Sequence, residues 1–260
     1  MTKNLHLEHP EDQILTGDLS VLNWLSAVSS VSVKIDGAPS IVWGTDPENG
    51  KFFVGTKSVF NKKKIKICYS HEDIDLHYSQ QKEVAEILTA CLYFLPRTEN
   101  IYQGDFIGFG GEASYTPNTI TYEFDDVIQQ NIIVAPHTTY EGSSIRECVA
   151  SPLTEVLDST NMTMFLQQTV DCIHRFHDSV DSIRKSVSKS NFLDEEMGKE
   201  VRIILNAFIR EGKTITPQLL ENIVCDWNLT NSYFQILDLK DQMMDAMIVY
   251  DGPKAFIGDE

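Results

Sequence analysis

Cysteine is scarce and poorly arranged for cross-linking: Cys68, Cys91, Cys148, Cys172 and Cys225 are odd in number, widely spaced and without a C-x-x-C pair. That speaks against a disulfide framework or a zinc knuckle and fits free thiols in a reducing cytoplasm. Long apolar runs are missing as well, and no window approaches the roughly eighteen unbroken apolar residues of a membrane span. Met1–Pro10 is polar and Ile14–Val28 is broken by Asp18, Asn23 and several serines, so no signal peptide is expected. Positive charge is the third shortage. Only 21 Lys+Arg stand against 38 Asp+Glu, a net charge of −17, and such a surface repels phosphate backbones and anionic lipid unless its cations are gathered in one place. The expectation is a soluble cytoplasmic protein with no membrane partner.

What is present is enough for a globular protein: 42% of the 260 residues are hydrophobic, which excludes a disordered or fibrous chain. The sequence changes character near residue 150. Before it lie short β-branched and aromatic runs, Val31–Ile35, Ser40–Trp43, Phe52–Gly55, Ile101–Ile107, Thr119–Phe124 and Ile132–Thr139, with Glu48-Asn49-Gly50 as a hairpin turn. Helices are expected in Asp18–Val28 and in Gln80–Leu95, the latter stopping at Pro96. After it, Met162–Val187, Leu193–Arg210, Pro217–Asp226 and Ser232–Tyr250 carry apolar residues three and four apart, the helical period. The expected architecture is α+β: an antiparallel β-rich core over 1–150 with flanking helices, then a helical region over 151–260 that is an insertion or a cap.

Chemistry concentrates in two places. In Val31-Ser32-Val33-Lys34-Ile35-Asp36-Gly37, an extended backbone puts Ser32, Lys34 and Asp36 on one face and the apolar residues on the other. Gly37 then permits a tight turn and a close approach to the backbone. An amphipathic strand with a solvated polar face would give the same pattern. The second place is Lys51–Lys66, where Lys51, Lys57, Lys62, Lys63, Lys64 and Lys66 occur without a single acid. A polyanion would choose this segment, with Phe53, Phe60 and Tyr69 interleaved as stacking surfaces; a solvated lysine loop is the plainer alternative.

Lys34-x-Asp36-Gly37 at a strand end resembles the nucleotide-attachment motif of the covalent nucleotidyltransferases: DNA ligases, RNA ligases and mRNA capping enzymes. Phe52-Phe53-Val54-Gly55-Thr56-Lys57-Ser58 is similar to their second motif, Tyr102-Gln103-Gly104-Asp105-Phe106 to their aromatic-x-Gly-Glu motif, and Ile132–Tyr140 is placed like the next core strand. Asp105 departs from that pattern, standing where a glutamate is usual. The resemblance is closer still to ligase-like proteins of large tailed bacteriophages. It runs from His9-Pro10-Glu11-Asp12, with Leu7 and Glu8 before it, to His137-Thr138-Thr139-Tyr140.

The resemblance implies an ATP-dependent, Mg²⁺-assisted enzyme, phage-encoded and acting in the host cytoplasm in repair of RNA or DNA. Lys34 would attack the α-phosphate of ATP, hold AMP and pass it to a 5′-phosphate end. Such a lysine must be neutral, whereas an ordinary one titrates at about 10.4, so Lys57 is the expected nearby cation. Ser32, Asp36, Gly37, Lys57, Gln103, Asp105 and Tyr122 would bind nucleotide, Asp105 also a metal, and Tyr122 would stack on the base. Lys62, Lys63, Lys64 and Lys66 would hold nucleic acid. The family's two later motifs have no convincing counterpart, Tyr140-Glu141-Gly142 and Tyr250–Ala255 with Asp251 and Lys254 being the nearest. The 260-residue form is therefore expected to be catalytically incomplete or nearly so, a fragment or a natural short form. A binding module derived from such an enzyme, an accessory protein or host-enzyme inhibitor meeting a protein partner through its acidic surface, is the alternative. Four further groups have plainer readings as helix face, turn, charged loop and core packing: His174 with His177, Phe106–Gly111, His71–Asp75, and Met243, Met244 and Met247.

Overall fold

The computed structural model describes residues 9–27, 30–171, 176–245 and 252–257. In chain order these contain α1 (Pro10–Leu15), α2 (Ser20–Ser26), β1 (Ser30–Val33), β2 (Ser40–Thr45), β3 (Phe52–Thr56), α3 (His71–Tyr78) and α4 (Lys82–Phe94). There follow β4 (Ile101–Phe109), β5 (Ser114–Tyr115), β6 (Ile120–Glu123), β7 (Ile132–Glu141), β8 (Val149–Pro152), β9 (Thr163–Phe165) and β10 (Gln168–Asp171). The chain continues with α5 (His177–Val187), α6 (Glu195–Arg210), α7 (Pro217–Val224), α8 (Trp227–Asp245) and β11 (Lys254–Ile257). The protein is α+β and divides into two compact units, one built on Ser32–Thr169 with β11, the other on α1, α2 and α5–α8. The division does not follow a single cut near residue 150: residues 151–169 go with the sheets, and two N-terminal helices go with the later ones.

The main sheet of the first unit has the order β3-β2-β4-β7-β8, all antiparallel, with β9 added parallel to β7. Its one face carries Ile41, Trp43, Val54, Tyr102, Phe106 and Val134 onto α3 and α4. α4 presents Ile87, Leu88 and Cys91 to that face, the three-and-four spacing of an apolar stripe, and α3 begins in a capping box of Ser70 and Asp73. Between β2 and β3 the Asp46 carboxylate accepts the Glu48 N–H and the Asn49 amide, and Gly50 adopts φ +70°, which closes the expected hairpin. The other face holds Val42, Phe53, Ile101 and Tyr140, and further along it Gln103 and Asp105. A separate antiparallel sheet has the order β11-β6-β5.

In the helical unit α8 lies at the centre. It gives Ile236, Leu239 and Met243 to a core shared with α1, α2 and α5, and Leu229 and Tyr233 to a second shared with α6 and α7. The half-buried Lys240 caps this arrangement with an ion pair to the buried Glu11 at 2.9 Å.

Two sequence expectations are corrected here. The helix expected over Met162–Val187 begins as strands β9 and β10, and only α5 is helical, because the short apolar run Thr163–Phe165 completes the sheet beside Ile132–Val134; a run that short carries no decisive period. The strand expected over Val31–Ile35 ends at Val33, so Lys34, Asp36 and Gly37 lie in a loop that keeps the alternation, with Ile35 buried and Ser32, Lys34 and Asp36 turned toward solvent. Cys172, His174, Arg175, Met247, Tyr250 and Asp251 lie outside the described residues, as does the side chain of Met244. The other four cysteines are free thiols. Among the described residues no helix is long and apolar enough to cross a membrane.

Candidate functional site

Three segments far apart in sequence meet at Lys34. Its Nζ donates to Asp36 Oδ1 at 3.0 Å and to Asp105 Oδ2 at 3.3 Å. Lys34 and Asp36 are half exposed, whereas the Asp105 side chain is only 8% exposed, so the carboxylate forms a floor and the other two groups open to solvent. Asp105 is placed by β4, opposite Ser40 of β2 and Ala135 of β7. The loop carrying Lys34 is tied down at both ends of Asp36: the Tyr122 hydroxyl accepts the Asp36 N–H at 2.9 Å and donates to its carbonyl at 2.8 Å, while the Asn118 amide donates to Asp36 Oδ2 at 2.7 Å. Ala38 N donates to Phe106 O and Phe106 N to Pro39 O, both at 3.0 Å. This pressing of loop on strand explains Gly37, where a Cβ would sit 2.5 Å from Phe106 O.

His137 completes the floor and was not visible in the sequence. Gln103 pairs with Thr138 and Gly104 with Pro136, so a β-bulge leaves His137 without a cross-strand partner, and a bulge re-aims a side chain. Its Nε2 lies 3.5 Å from Asp105 Oδ1, outside hydrogen-bond geometry, and is otherwise buried without a partner among the described residues. Its Nδ1 meets Thr138 Oγ1 at 2.7 Å. Burial alone would raise the Asp105 pKa, but the His137 ring, the Lys34 charge and, least, the Ser40 hydroxyl pull it down to about 2. Ser40 Oγ makes no hydrogen bond among the described residues and acts there as a nearby dipole. For Lys34 burial acts to lower the pKa, yet the charge of Asp105 and the hydrogen bond and charge of Asp36 outweigh it, and the lysine is held above its ordinary value. The resting site is an ammonium between two carboxylates. Among the described residues no group of three or more His, Cys, Asp or Glu side chains is arranged to hold a metal ion, and Asp105 Oδ2 already accepts from Lys34 while Oδ1 faces His137.

Residues 4–230 match the model of a family of unknown function, DUF6267. The chain belongs to the DUF6267 family. No curated protein and no solved structure matches it.

The other expected site residues of this DUF6267 protein are distributed differently. Tyr122 is buried with its hydroxyl occupied by Asp36, so it positions the lysine loop and offers no face for a base to stack on. Gln103 is buried and accepts the Tyr140 hydroxyl at 2.6 Å, an internal pairing. Ser32 is exposed, and Lys57 is exposed at the start of a 3-10 turn, Lys57–Phe60. Lys62, Lys63 and Lys64 are exposed, but Lys66 donates to His77 O at 2.9 Å and lies 4.4 Å from the centre of the Tyr78 ring; it braces α3 rather than a ligand. The interleaved aromatics turn inward: Phe53 is fully buried, Phe60 packs on Tyr140, and the Tyr69 hydroxyl bonds Asp46.

Lys254 pairs with Glu123 and Ala255 with Tyr122, so strand alternation turns Lys254 away from the face on which Tyr122 meets Asp36. Glu141 is exposed at the end of β7, six residues past the partner of Asp105, about 20 Å away at ~3.4 Å per residue. Neither stands beside Lys34. His71–Asp75 forms the first turns of α3, Phe106–Gly111 ends β4 in a turn, and Met243 is core.

Proposed function

We propose that this DUF6267 chain is a nucleic-acid-ligase-like covalent nucleotidyltransferase, in which Lys34 takes AMP from ATP and passes it to a 5′-phosphate end of RNA or DNA. The observation that carries the reading is the convergence of Lys34, Asp36 and Asp105 from a glycine loop and an antiparallel strand 71 residues apart, in the order that the ligases use. In the first step the Lys34 amine forms a bond to the α-phosphorus, the bond to pyrophosphate breaks and pyrophosphate leaves. Before that, Lys34 must give up a proton, and Asp36, half exposed at 3.0 Å, is the nearer of the two carboxylates that could take it. Asp36 and Asn118 then face the ribose. Mg²⁺ would arrive on the nucleotide's phosphates, the usual way for an ion that keeps few protein ligands.

One observation favours the second reading, a module that binds nucleotide without self-labelling. Lys34 is held protonated by two carboxylates, and Lys254 faces away from it. Loss of one preorganised donor at a developing charge typically costs 10²–10³ in rate. Incubation with α-labelled ATP followed by denaturation separates the two. A label that survives denaturation in the parent and vanishes in Lys34→Ala and Lys34→Arg supports the enzyme, since guanidinium is never appreciably neutral. Reversible binding alone supports the module, and a label that persists in Lys34→Ala removes Lys34 from the chemistry.

A further inference from the structure

The β2–β3 hairpin, the segment after the lysines and the 3-10 turn Ile145–Glu147 line a half-open cavity of about 630 Å³. None of the residues grouped around Lys34 lines it. It lies on the Asp105 face of the main sheet, since Val59 and Ile145 of its wall cluster with Val42 and Tyr140. Ser40 is opposite Asp105 and Asp46 follows six residues later, which puts the cavity about 20 Å from the Lys34 site at ~3.4 Å per residue.

Its lining has three chemistries. Val59, Ile65, Ile67 and Ile145 give aliphatic walls, suited to the faces of a flat ring. Asp46 supplies a carboxylate fixed by the Tyr69 hydroxyl, the Asn49 amide and the Glu48 N–H. Its Oδ1 receives only the last of these and keeps acceptor capacity for an incoming N–H. Charges of both signs border it: Arg146 and Glu48 line it, and the exposed Lys62–Lys64 directly precede Ile65 of its wall. Apolar ring faces, an edge that carries an N–H donor and an anionic chain are the features of a nucleotide within a single strand, where a base is free to leave the stack.

We propose that this cavity is a nucleobase subsite, the base presenting an N–H of its edge to Asp46, in a single strand whose phosphates lie on Lys62–Lys64. The inference rests on the reading that the chain acts on nucleic-acid ends. A strand with its 5′ end at Lys34 would reach the cavity after about six stacked nucleotides at ~3.4 Å each.

The test is fluorescence anisotropy with single-stranded RNA octamers of cytidylate, uridylate and an abasic backbone, across a salt series. The parent is expected to bind the cytidylate and uridylate octamers, whose bases are flat rings carrying an N–H donor, about tenfold more tightly than the abasic one, the order of one stacked or hydrogen-bonded base. Ile65→Trp, whose indole would take the place of a base between the aliphatic walls, should bind all three alike with an unchanged salt slope, because the lysines are untouched; its circular dichroism checks that it folds. Equal affinity of the parent for cytidylate, uridylate and abasic octamers would overturn the subsite while leaving the nucleic-acid reading in place. Absence of binding to any octamer would overturn that reading and the subsite with it.

Discussion

A carboxylate as buried as Asp105 remains ionised only because its surroundings favour the charge, and that makes it a measurable contributor to stability. Its folded pKa of about 2 lies below the 3.8 of an unperturbed group, so its contribution is present above about pH 4 and is lost as pH falls from there through about 2. The difference corresponds to on the order of 2 kcal/mol. Urea unfolding of parent and Asp105→Asn between pH 5 and 2 should show the parent losing that much relative to the variant, and parallel curves would mean that Asp105 is not held by Lys34 and His137. Tyr122→Phe removes the hydrogen bonds to both the Asp36 N–H and its carbonyl at once and should cost about 1–3 kcal/mol, two bonds at about 0.5–1.5 kcal/mol each. A urea midpoint equal to the parent's would show that the loop holds without its hydroxyl clamp. At this scale Lys34, Asp36 and Asp105 were legible because the first two share a local alternation and the third sits in a strand with its own glycine signature. His137 was not, since its direction depends on a bulge in the β4–β7 register, and one residue of register changes every face.

Among the elements, the segment between β3 and α3 divides into a part that faces solvent and a part braced on α3. Neutralising Lys62, Lys63 and Lys64 together to Gln should lower the log–log salt slope of oligonucleotide binding by roughly 0.7–0.9 for each phosphate left without its cation. Lys66→Ala should leave the slope nearly unchanged and destabilise the fold by about 1 kcal/mol, because the His77 carbonyl and the Tyr78 ring are then deprived of the ammonium between them. If Lys66→Ala alone flattens the slope and leaves the melting temperature alone, the division is wrong. The same charges were indistinguishable in the sequence, because which lysine folds back depends on α3, an element hidden in an acidic stretch. The hairpin at Glu48-Asn49-Gly50 and helix α4 were legible because turn chemistry and apolar period are local. β8, β9 and β11 were not: each is short and exists through its pairing with β7 or β6.

For the whole molecule, the change of character near residue 150 marks where helical periodicity takes over, whereas the compact helical unit draws on both sides of the first unit's sequence. Of the eleven buried residues in its first core among the described residues, α1 and α2 supply four: Ile14, Val21, Leu22 and Leu25. α1 also places Leu15 in the second core and Glu11 against Lys240. Burying an aliphatic side chain is worth about 1.5–3 kcal/mol, so the four together contribute roughly 6–12 kcal/mol, as much as the roughly 5–15 kcal/mol net stability of a typical domain. Residues 151–260 produced alone should therefore lack a cooperative urea transition despite containing every later helix. A chain joining residues 9–27 to 176–245 through a short Gly/Ser linker should regain one, since Asn23 of α2 already receives Arg184 of α5 at 2.7 Å. Far-ultraviolet circular dichroism against urea reads both outcomes. Cooperative unfolding of the 151–260 fragment would show that α5–α8 hold a core without α1 and α2, and would restore a single boundary near residue 150.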